Sequence, residues 1–148
     1  GLQSRVFARV HTFGKALGAY GAIVVGSETL RRYLVNFSRP FIYTTALPEA
    51  NLIAIRSAYD LLRKSRDVIE QLWKVIEFFR QLLPNARPAQ IQPIVRNDVV
   101  QLAARIQANG YDVRPILYPT VPKGTERLRI NLHAFNTLEQ IRGLVSLL

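Results

Sequence analysis

The chain has 148 residues, a formal net charge of +10 at pH 7 and an apolar content of 49%. This length supports a hydrophobic core, and the apolar content argues against disorder of the whole chain. The absence of cysteine excludes disulfides, thiolate metal sites and cysteine nucleophiles. No apolar run approaches the roughly 18 residues that span a bilayer. The chain also lacks methionine, so we expect it to be part of a longer protein.

The positive charge comes mainly from arginine, and its distribution bears on function. Sixteen arginines and four lysines occur singly or in pairs, and no run of five or more basic residues is present. Such spacing is not typical of a nucleic-acid-binding tail. A basic nucleic-acid-binding module is nevertheless the alternative from another functional class.

The first part of the chain predicts strands followed by a helix. Residues 5–10 alternate weakly between polar and apolar side chains, and residues 22–26 form a short apolar run that is typical of a buried strand. Ser27 suits the N-cap of a helix over residues 28–37.

A strand and a long helix are predicted next. Pro40 predicts the end of the preceding helix, and residues 41–45 have the composition of a strand. Apolar side chains then recur at helical spacing from residue 49 to residue 83, which predicts a helix of about 50 Å that connects two domains. The weaker periodicity at residues 64–66 predicts a bend.

The remaining residues predict a compact α+β domain. The proline-containing segment 84–88 ends the long helix. Pro93 places the first strand at a sheet edge, and the last strand alternates strictly between polar and apolar residues. Asn136 or Thr137 is expected to cap the final helix. The predicted strands cover residues 91–96, 112–118 and 126–132, and the predicted helices cover residues 99–108 and 137–147.

One short segment combines a lysine with glycines. Residues 12–22 read TFGKALGAYGA and place Lys15 among small residues, with no acidic neighbour in sequence. Burial promotes loss of a proton from a lysine ammonium, and glycine lets the backbone approach a flat ring closely. This setting suits covalent attachment of the amine to the aldehyde of a cofactor. A surface lysine in a glycine-rich loop is the alternative.

A second segment combines a rigid turn with an alternating strand. Residues 119–130 read PTVPKGTERLRI, so Arg127 and Arg129 fall on one face of the strand and Leu128 and Ile130 on the other. An arginine on a rigid strand suits bidentate capture of a carboxylate. The alternative is an exposed basic edge strand, which we favour for Arg127.

These two motifs, in this order, resemble those of the α-oxoamine synthases, a family of pyridoxal-phosphate enzymes. The resemblance covers nearly the whole chain and implies an α/β fold, the C-terminal part of a fold-type-I transferase. Residues 1–48 would be the end of the large cofactor-binding domain, and residues 49–83 a long interdomain helix. Residues 84–148 would form a small C-terminal α+β domain with about three strands.

The resemblance also implies a role for four residues at the cofactor. Lys15 would form the Schiff base with pyridoxal phosphate and act as the catalytic base, and Thr12 would contact the cofactor phosphate. In the segment RPFIYTTALP, Thr44 and Thr45 would reach the phosphate bound by the other subunit of a dimer. Ordinary strand threonines are the alternative for these two residues.

On the substrate side, the resemblance implies that Thr120 contacts substrate and that Arg129 holds the amino-acid carboxylate. The implied reaction joins an amino acid, with alanine favoured, to an acyl-CoA, with a pimeloyl thioester favoured. Carbon dioxide is lost, and the reaction would belong to biotin biosynthesis. Family members that use glycine or serine are the alternatives.

The resemblance further implies a cytoplasmic homodimer that uses no metal and binds neither nucleic acid nor membrane. We expect the chain on its own to be inactive, because much of the cofactor and substrate site of this family lies outside the part that the resemblance covers. A pseudo-enzyme that retains the small domain for dimer contacts is a further alternative.

Overall fold

The computed structural model describes residues 1–148 and divides them into two units, residues 1–65 and residues 66–148. Unit 1 begins with a 3-10 turn, Gln3–Arg5, followed by an antiparallel pair of strands, β1 (Ala8–Thr12) and β2 (Ala22–Gly26). β2 matches the prediction in place, whereas β1 begins three residues later than the predicted segment 5–10 and extends to Thr12. The predicted burial of β2 is wrong within this chain. Only Val25 of β2 is even half-buried, because no second layer of unit 1 covers the strand.

The next two helices show one correct and one wrong prediction. Helix α1 (Glu28–Phe37) begins at Ser27, whose Oγ accepts a hydrogen bond of 3.1 Å from the Leu30 amide, as expected for an N-cap. The strand predicted over residues 41–45 is instead the end of a short helix, α2 (Arg39–Ile42), and a turn. Pro40 lies in the first turn of α2, where its missing N–H costs nothing. No strand pairs with this segment, so its high β propensity does not produce a strand.

The long helix predicted over residues 49–83 is two helices. α3 (Glu49–Lys64) and α4 (Arg66–Leu82) are separated at Ser65, whose Oγ donates a hydrogen bond of 2.8 Å to the Leu61 carbonyl. Side-chain bonding of serine to the backbone one turn earlier often bends a helix. The interruption falls where the sequence predicts a bend. Because α3 lies in unit 1 and α4 in unit 2, the role of this segment as an interdomain connection stays a prediction.

Unit 2 contains an antiparallel sheet in the order β3-β5-β4. The strands are β3 (Ile91–Val95), β4 (Arg114–Ile116) and β5 (Arg127–Asn131), and the two further helices are α5 (Val99–Ala108) and α6 (Leu138–Ser146). β3 is an edge strand, as Pro93 predicts, and β4 is shorter than predicted. β5 is the central strand, so the interpretation of Arg127 as an edge-strand residue is wrong. Thr137, rather than Asn136, caps α6.

The two faces of the unit 2 sheet differ in burial, because the core lies on one of them. Leu128 and Ile130 of β5 are buried, whereas Arg127 and Arg129 lie on the opposite face. The buried face packs with side chains from all three helices of the unit. They are Val75, Ile76, Phe79, Leu102, Ala103, Ile106, Ile141 and Leu144. None of the helices combines the length and the apolar character that crossing a bilayer requires.

Candidate functional site

The loop that connects β1 to β2 carries Lys15, and backbone hydrogen bonds close it. The Phe13 amide donates to the Gly21 carbonyl at 2.9 Å, and the Ala19 amide donates to the Phe13 carbonyl at 3.0 Å. Within the loop the Gly18 amide donates to the Lys15 carbonyl at 3.0 Å. Gly18 has φ 61°, a left-handed conformation that glycine adopts without strain. Gly18, three residues after Lys15 in the same segment, therefore shapes the turn, as the sequence suggests.

Phe13 anchors the base of this loop. Its side chain is only 4% exposed and meets the Tyr59 ring edge to face, with centroids 6.1 Å apart. At Gly21, φ is 126°, and a Cβ would lie 3.1 Å from Cδ1 of Leu47. A side chain at position 21 would thus be both strained and crowded. The loop is fixed at its base by packing.

Lys15 itself is exposed in this structure. Burial would promote deprotonation of its amine, and residues 1–148 do not supply that burial. Lys15 thus lies on an anchored loop, and its side chain is exposed to solvent within the chain.

A groove of about 1170 Å³ lies in unit 1 beside this loop. Two of the predicted cofactor-binding residues, Thr12 and Thr44, line it, and Lys15 and Thr45 do not. Ser27, which the sequence predicts only as a helix cap, lines it as well. Most of the remaining wall is apolar, including Ile23, Val24, Leu30, Leu34, Phe41 and Leu47.

The hydroxyl groups of the groove fit a phosphate, which accepts hydrogen bonds and needs donors. The Thr12 hydroxyl makes no hydrogen bond within the chain, and the Ser27 oxygen accepts one from Leu30 and keeps its own proton free. The Thr44 hydroxyl donates to the Pro40 carbonyl, so it must turn away from that carbonyl to donate elsewhere. The donor set therefore suits a phosphate-bearing cofactor, with Thr12 and Ser27 the readiest donors.

One wall of the groove carries a charge that is already balanced. Arg31 lines the groove and bonds to Glu28 through its Nε at 2.8 Å and its Nη2 at 2.7 Å. These bonds from Arg31, with a further one from Arg32, lower the pKa of the Glu28 carboxyl to about 2. The same pairing raises the pKa of Arg31. Arg31 is thus already paired within the chain, although the Arg31 and Glu28 side chains are 68% and 55% exposed.

The substrate-side residues lie in unit 2. Thr120 follows β4 in a turn, where its amide donates a hydrogen bond of 2.9 Å to the Leu117 carbonyl, and its side chain is exposed. Arg129 is exposed on the face of β5 opposite the core, and it makes no ion pair. Arg127 is half-buried and donates through Nε to the Thr125 carbonyl at 3.0 Å. Of the two arginines, Arg129 is the one available to a ligand.

Comparison with known proteins defines the family. The family model for aminotransferase class I and II matches residues 4–148, so the chain belongs to this family. Members of this family depend on pyridoxal phosphate. The match confirms the predicted fold class and favours an enzyme over a nucleic-acid-binding module.

Within this family, the similar curated proteins are synthases of 8-amino-7-oxononanoate. The chain is 43% identical to the one from Emericella nidulans over 160 aligned positions, which cover 98% of this chain and 39% of the relative. It is 40% identical to the one from Xanthomonas campestris over 145 positions, which cover 90% and 36%. These matches confirm the resemblance to α-oxoamine synthases. The chain spans about two fifths of the length of these relatives.

Solved structures agree with the sequence matches in the fold that they indicate. The 8-amino-7-oxononanoate synthase of Francisella tularensis superposes with a TM-score of 0.82 at 30% identity, covering 95% of this chain and 44% of that one. Serine palmitoyltransferase of Sphingomonas wittichii gives a TM-score of 0.81 at 24% identity, covering 99% and 40%, which shows the fold alone. A serine palmitoyltransferase solved with pyridoxal phosphate also has a TM-score of 0.81.

Proposed function

We propose that the complete protein is a pyridoxal-phosphate-dependent acyltransferase that makes 8-amino-7-oxononanoate for biotin biosynthesis. It would condense alanine with a pimeloyl thioester and release carbon dioxide. The observation that carries the proposal is the Lys15 loop, anchored by Phe13 beside a groove that Thr12 lines. The 43% identity to a synthase of this product supports the choice of reaction.

In this proposal, residues of unit 1 hold the cofactor. When bound, pyridoxal phosphate supplies an aldehyde for covalent attachment and a ring that accepts electrons from the substrate. The Lys15 amine would hold the cofactor covalently and, as a free amine, would accept the proton from the substrate α-carbon. The Thr12 hydroxyl donates to the phosphate. The proposal requires that residues outside 1–148 cover Lys15, because desolvation promotes the neutral amine.

The proposed assembly is a cytoplasmic homodimer. In it, Thr44 and Thr45 would donate to the phosphate held by the other subunit, and the Thr44 proton would leave the Pro40 carbonyl to do so. Both side chains are exposed in this chain and so are free to face a partner. The chain of 148 residues alone is expected to show no turnover.

On the substrate side, we propose that Arg129 binds the amino-acid carboxylate and that Thr120 contacts the substrate. Arg129 is suited to this role because it is exposed on a central strand and unpaired. The alternatives within the family are a 2-amino-3-ketobutyrate ligase, which would use glycine, and an enzyme similar to serine palmitoyltransferase. Steady-state assays of the complete protein with alanine, glycine and serine separate these options. A preference for glycine or serine would exclude the proposed substrate.

Substitution of Lys15 tests the proposed chemistry. In the complete protein, we expect Lys15→Ala to lower kcat by at least about 10³-fold, because a general base and the covalent anchor are lost together. Borohydride reduction should attach the mass of the cofactor to Lys15 in the unsubstituted protein and not in the variant. Lys74→Ala, which removes an exposed lysine from α4, is the matched control and should retain full turnover. Turnover that persists in Lys15→Ala would overturn the proposal.

A further inference from the structure

Two arginines face each other across the sheet of unit 2. Arg114 of β4 and Arg129 of β5 are direct partners in the antiparallel register. The side chains of directly opposed residues project from the same face of a sheet. Both arginines therefore lie on the face opposite the buried Leu128. Like charges in this position repel one another. The pair therefore favours an anion that can neutralise both guanidinium groups.

The surroundings of the two arginines differ. Arg114 is 3.1 Å from a carboxylate oxygen of Asp112, but the two side chains are 72% and 76% exposed, so this ion pair is weak. Arg129 has no acidic partner, and the third arginine of this face, Arg127, bonds to a backbone carbonyl. The face thus holds three arginines, of which Arg127 is bonded to a backbone carbonyl, and one exposed acid, Asp112.

We propose that Arg114 is a specificity-determining residue that binds a substrate carboxylate together with Arg129. The inference rests on the proposed function for the identity of the substrates. Two guanidinium forks side by side can bind a carboxylate with more hydrogen bonds than one arginine supplies. Asp112 competes for Arg114 in the free protein, and a bound carboxylate replaces it. The carboxylate comes either from the amino acid or from the far end of a dicarboxylic acyl chain.

Titration calorimetry on the complete protein distinguishes these two sources without requiring turnover. The probes are L-alanine, pimelate and heptanoate, of which the last has the chain length of pimelate but a single carboxylate. We expect Arg114→Gln to weaken binding of one carboxylate probe by about tenfold, the effect of one charge-assisted hydrogen bond. A loss confined to pimelate, with heptanoate unaffected, assigns Arg114 to the acyl chain. A loss for alanine assigns it to the amino acid.

Three further variants separate this role from a structural one. Arg114→Lys should recover part of the affinity because it keeps the charge, and Asp112→Asn should tighten binding because it frees Arg114. Arg142→Gln is the charge-matched control, since Arg142 lies on α6 over the Phe78 ring, in the helix layer that packs against the other face. In assays, the KM for the affected substrate should rise in Arg114→Gln while kcat stays within about twofold.

Several results would overturn the inference. They are unchanged binding of all probes by Arg114→Gln, an equal loss in Arg142→Gln, and no binding of any carboxylate by the unsubstituted protein. The proposed function fails separately, if the complete protein binds these probes through Arg114 but does not condense any amino acid with an acyl thioester. Circular dichroism of each variant verifies that the exposed substitution leaves the fold intact.

Discussion

Single side chains next to the motifs determine how the motifs are presented. Phe13 is part of the lysine motif, and its side chain is buried against the Tyr59 ring at the base of the loop. Ser27 caps α1 and also lines the groove beside Thr12, so one hydroxyl serves structure and is available to a phosphate. Arg127 and Arg129 are two residues apart, but only Arg129 is unpaired and exposed. The chemistry therefore depends on which neighbours already use a polar group.

Gly143 in α6 lies against the hydroxyl group of Tyr111. A Cβ at this position would overlap the Tyr111 hydroxyl oxygen, whereas the Tyr111 Cζ would be 3.5 Å away, an ordinary contact. Replacing glycine by alanine within a helix gains about 1 kcal/mol, but overpacking costs about 1–3 kcal/mol. We expect Gly143→Ala to lower the free energy of unfolding of the unsubstituted protein by about 1 kcal/mol. In the Tyr111→Phe variant, which lacks the hydroxyl, the same substitution should raise the free energy of unfolding. Urea unfolding of the unsubstituted protein, the two single variants and the double variant measures these free energies. Additive effects of the two substitutions would contradict the expected contact.

Among the elements, local signals at helix ends were reliable and strand signals were less so. Ser27 and Thr137 both cap helices where the sequence predicts caps, and the Thr137 amide in turn donates a hydrogen bond to the Gln140 side-chain oxygen. The segment 41–45 has strand composition but is a helix end and a turn, because no strand lies beside it to pair with. A cap needs only residues within one turn, whereas a strand needs a partner from elsewhere in the chain.

The first turn of α1 predicts a pH dependence. Glu28 has a folded-state pKa of about 2, below its ordinary 4.5, because Arg31 and then Arg32 bond to its carboxylate. Its contribution to stability is therefore complete above pH 4.5 and is lost as the pH falls through about 2. Thermal unfolding should show Glu28→Gln less stable than the unsubstituted protein at pH 7, with a difference that shrinks between pH 4.5 and pH 2. Glu49→Gln is the control, since Glu49 is in the first turn of α3 without an ion pair. A difference that is constant with pH would contradict the pairing.

The two units differ in their cores. The buried apolar residues of unit 1 are Phe13 and Ala19, whereas unit 2 has a continuous core drawn from three helices and the sheet. Most stability of the 148-residue chain should therefore reside in unit 2, because buried apolar area is the main favourable contribution to folding. Many apolar side chains of unit 1 remain exposed, among them Ile23, Val24, Tyr33, Phe37, Phe41 and Leu52.

Two aromatic residues on α4 test this distribution. Phe79 is fully buried in the core of unit 2, and Trp73, on the same helix, is 51% exposed. We expect Phe79→Ala to lower the free energy of unfolding of unit 2 by about 3–5 kcal/mol, the range for a buried aromatic. Trp73→Ala should cost about 1 kcal/mol or less. Urea denaturation followed by circular dichroism measures both, and equal losses would show that the core does not lie where Phe79 is placed.

The linear order of residues already determined the family, the placement of Lys15 in a glycine-containing loop, the caps of α1 and α6, and the alternation of β5. These features depend on residues that are close together in the chain, or on motifs whose order is sufficient evidence. Tertiary structure alone decided that β5 is central rather than an edge, that Arg114 lies opposite Arg129, and that Thr12, Ser27 and Thr44 line one groove. It also decided that Lys15 and β2 stay exposed in this chain. Burial and cross-strand pairing are set by contacts between segments far apart in sequence, and neither periodicity nor composition specifies those partners.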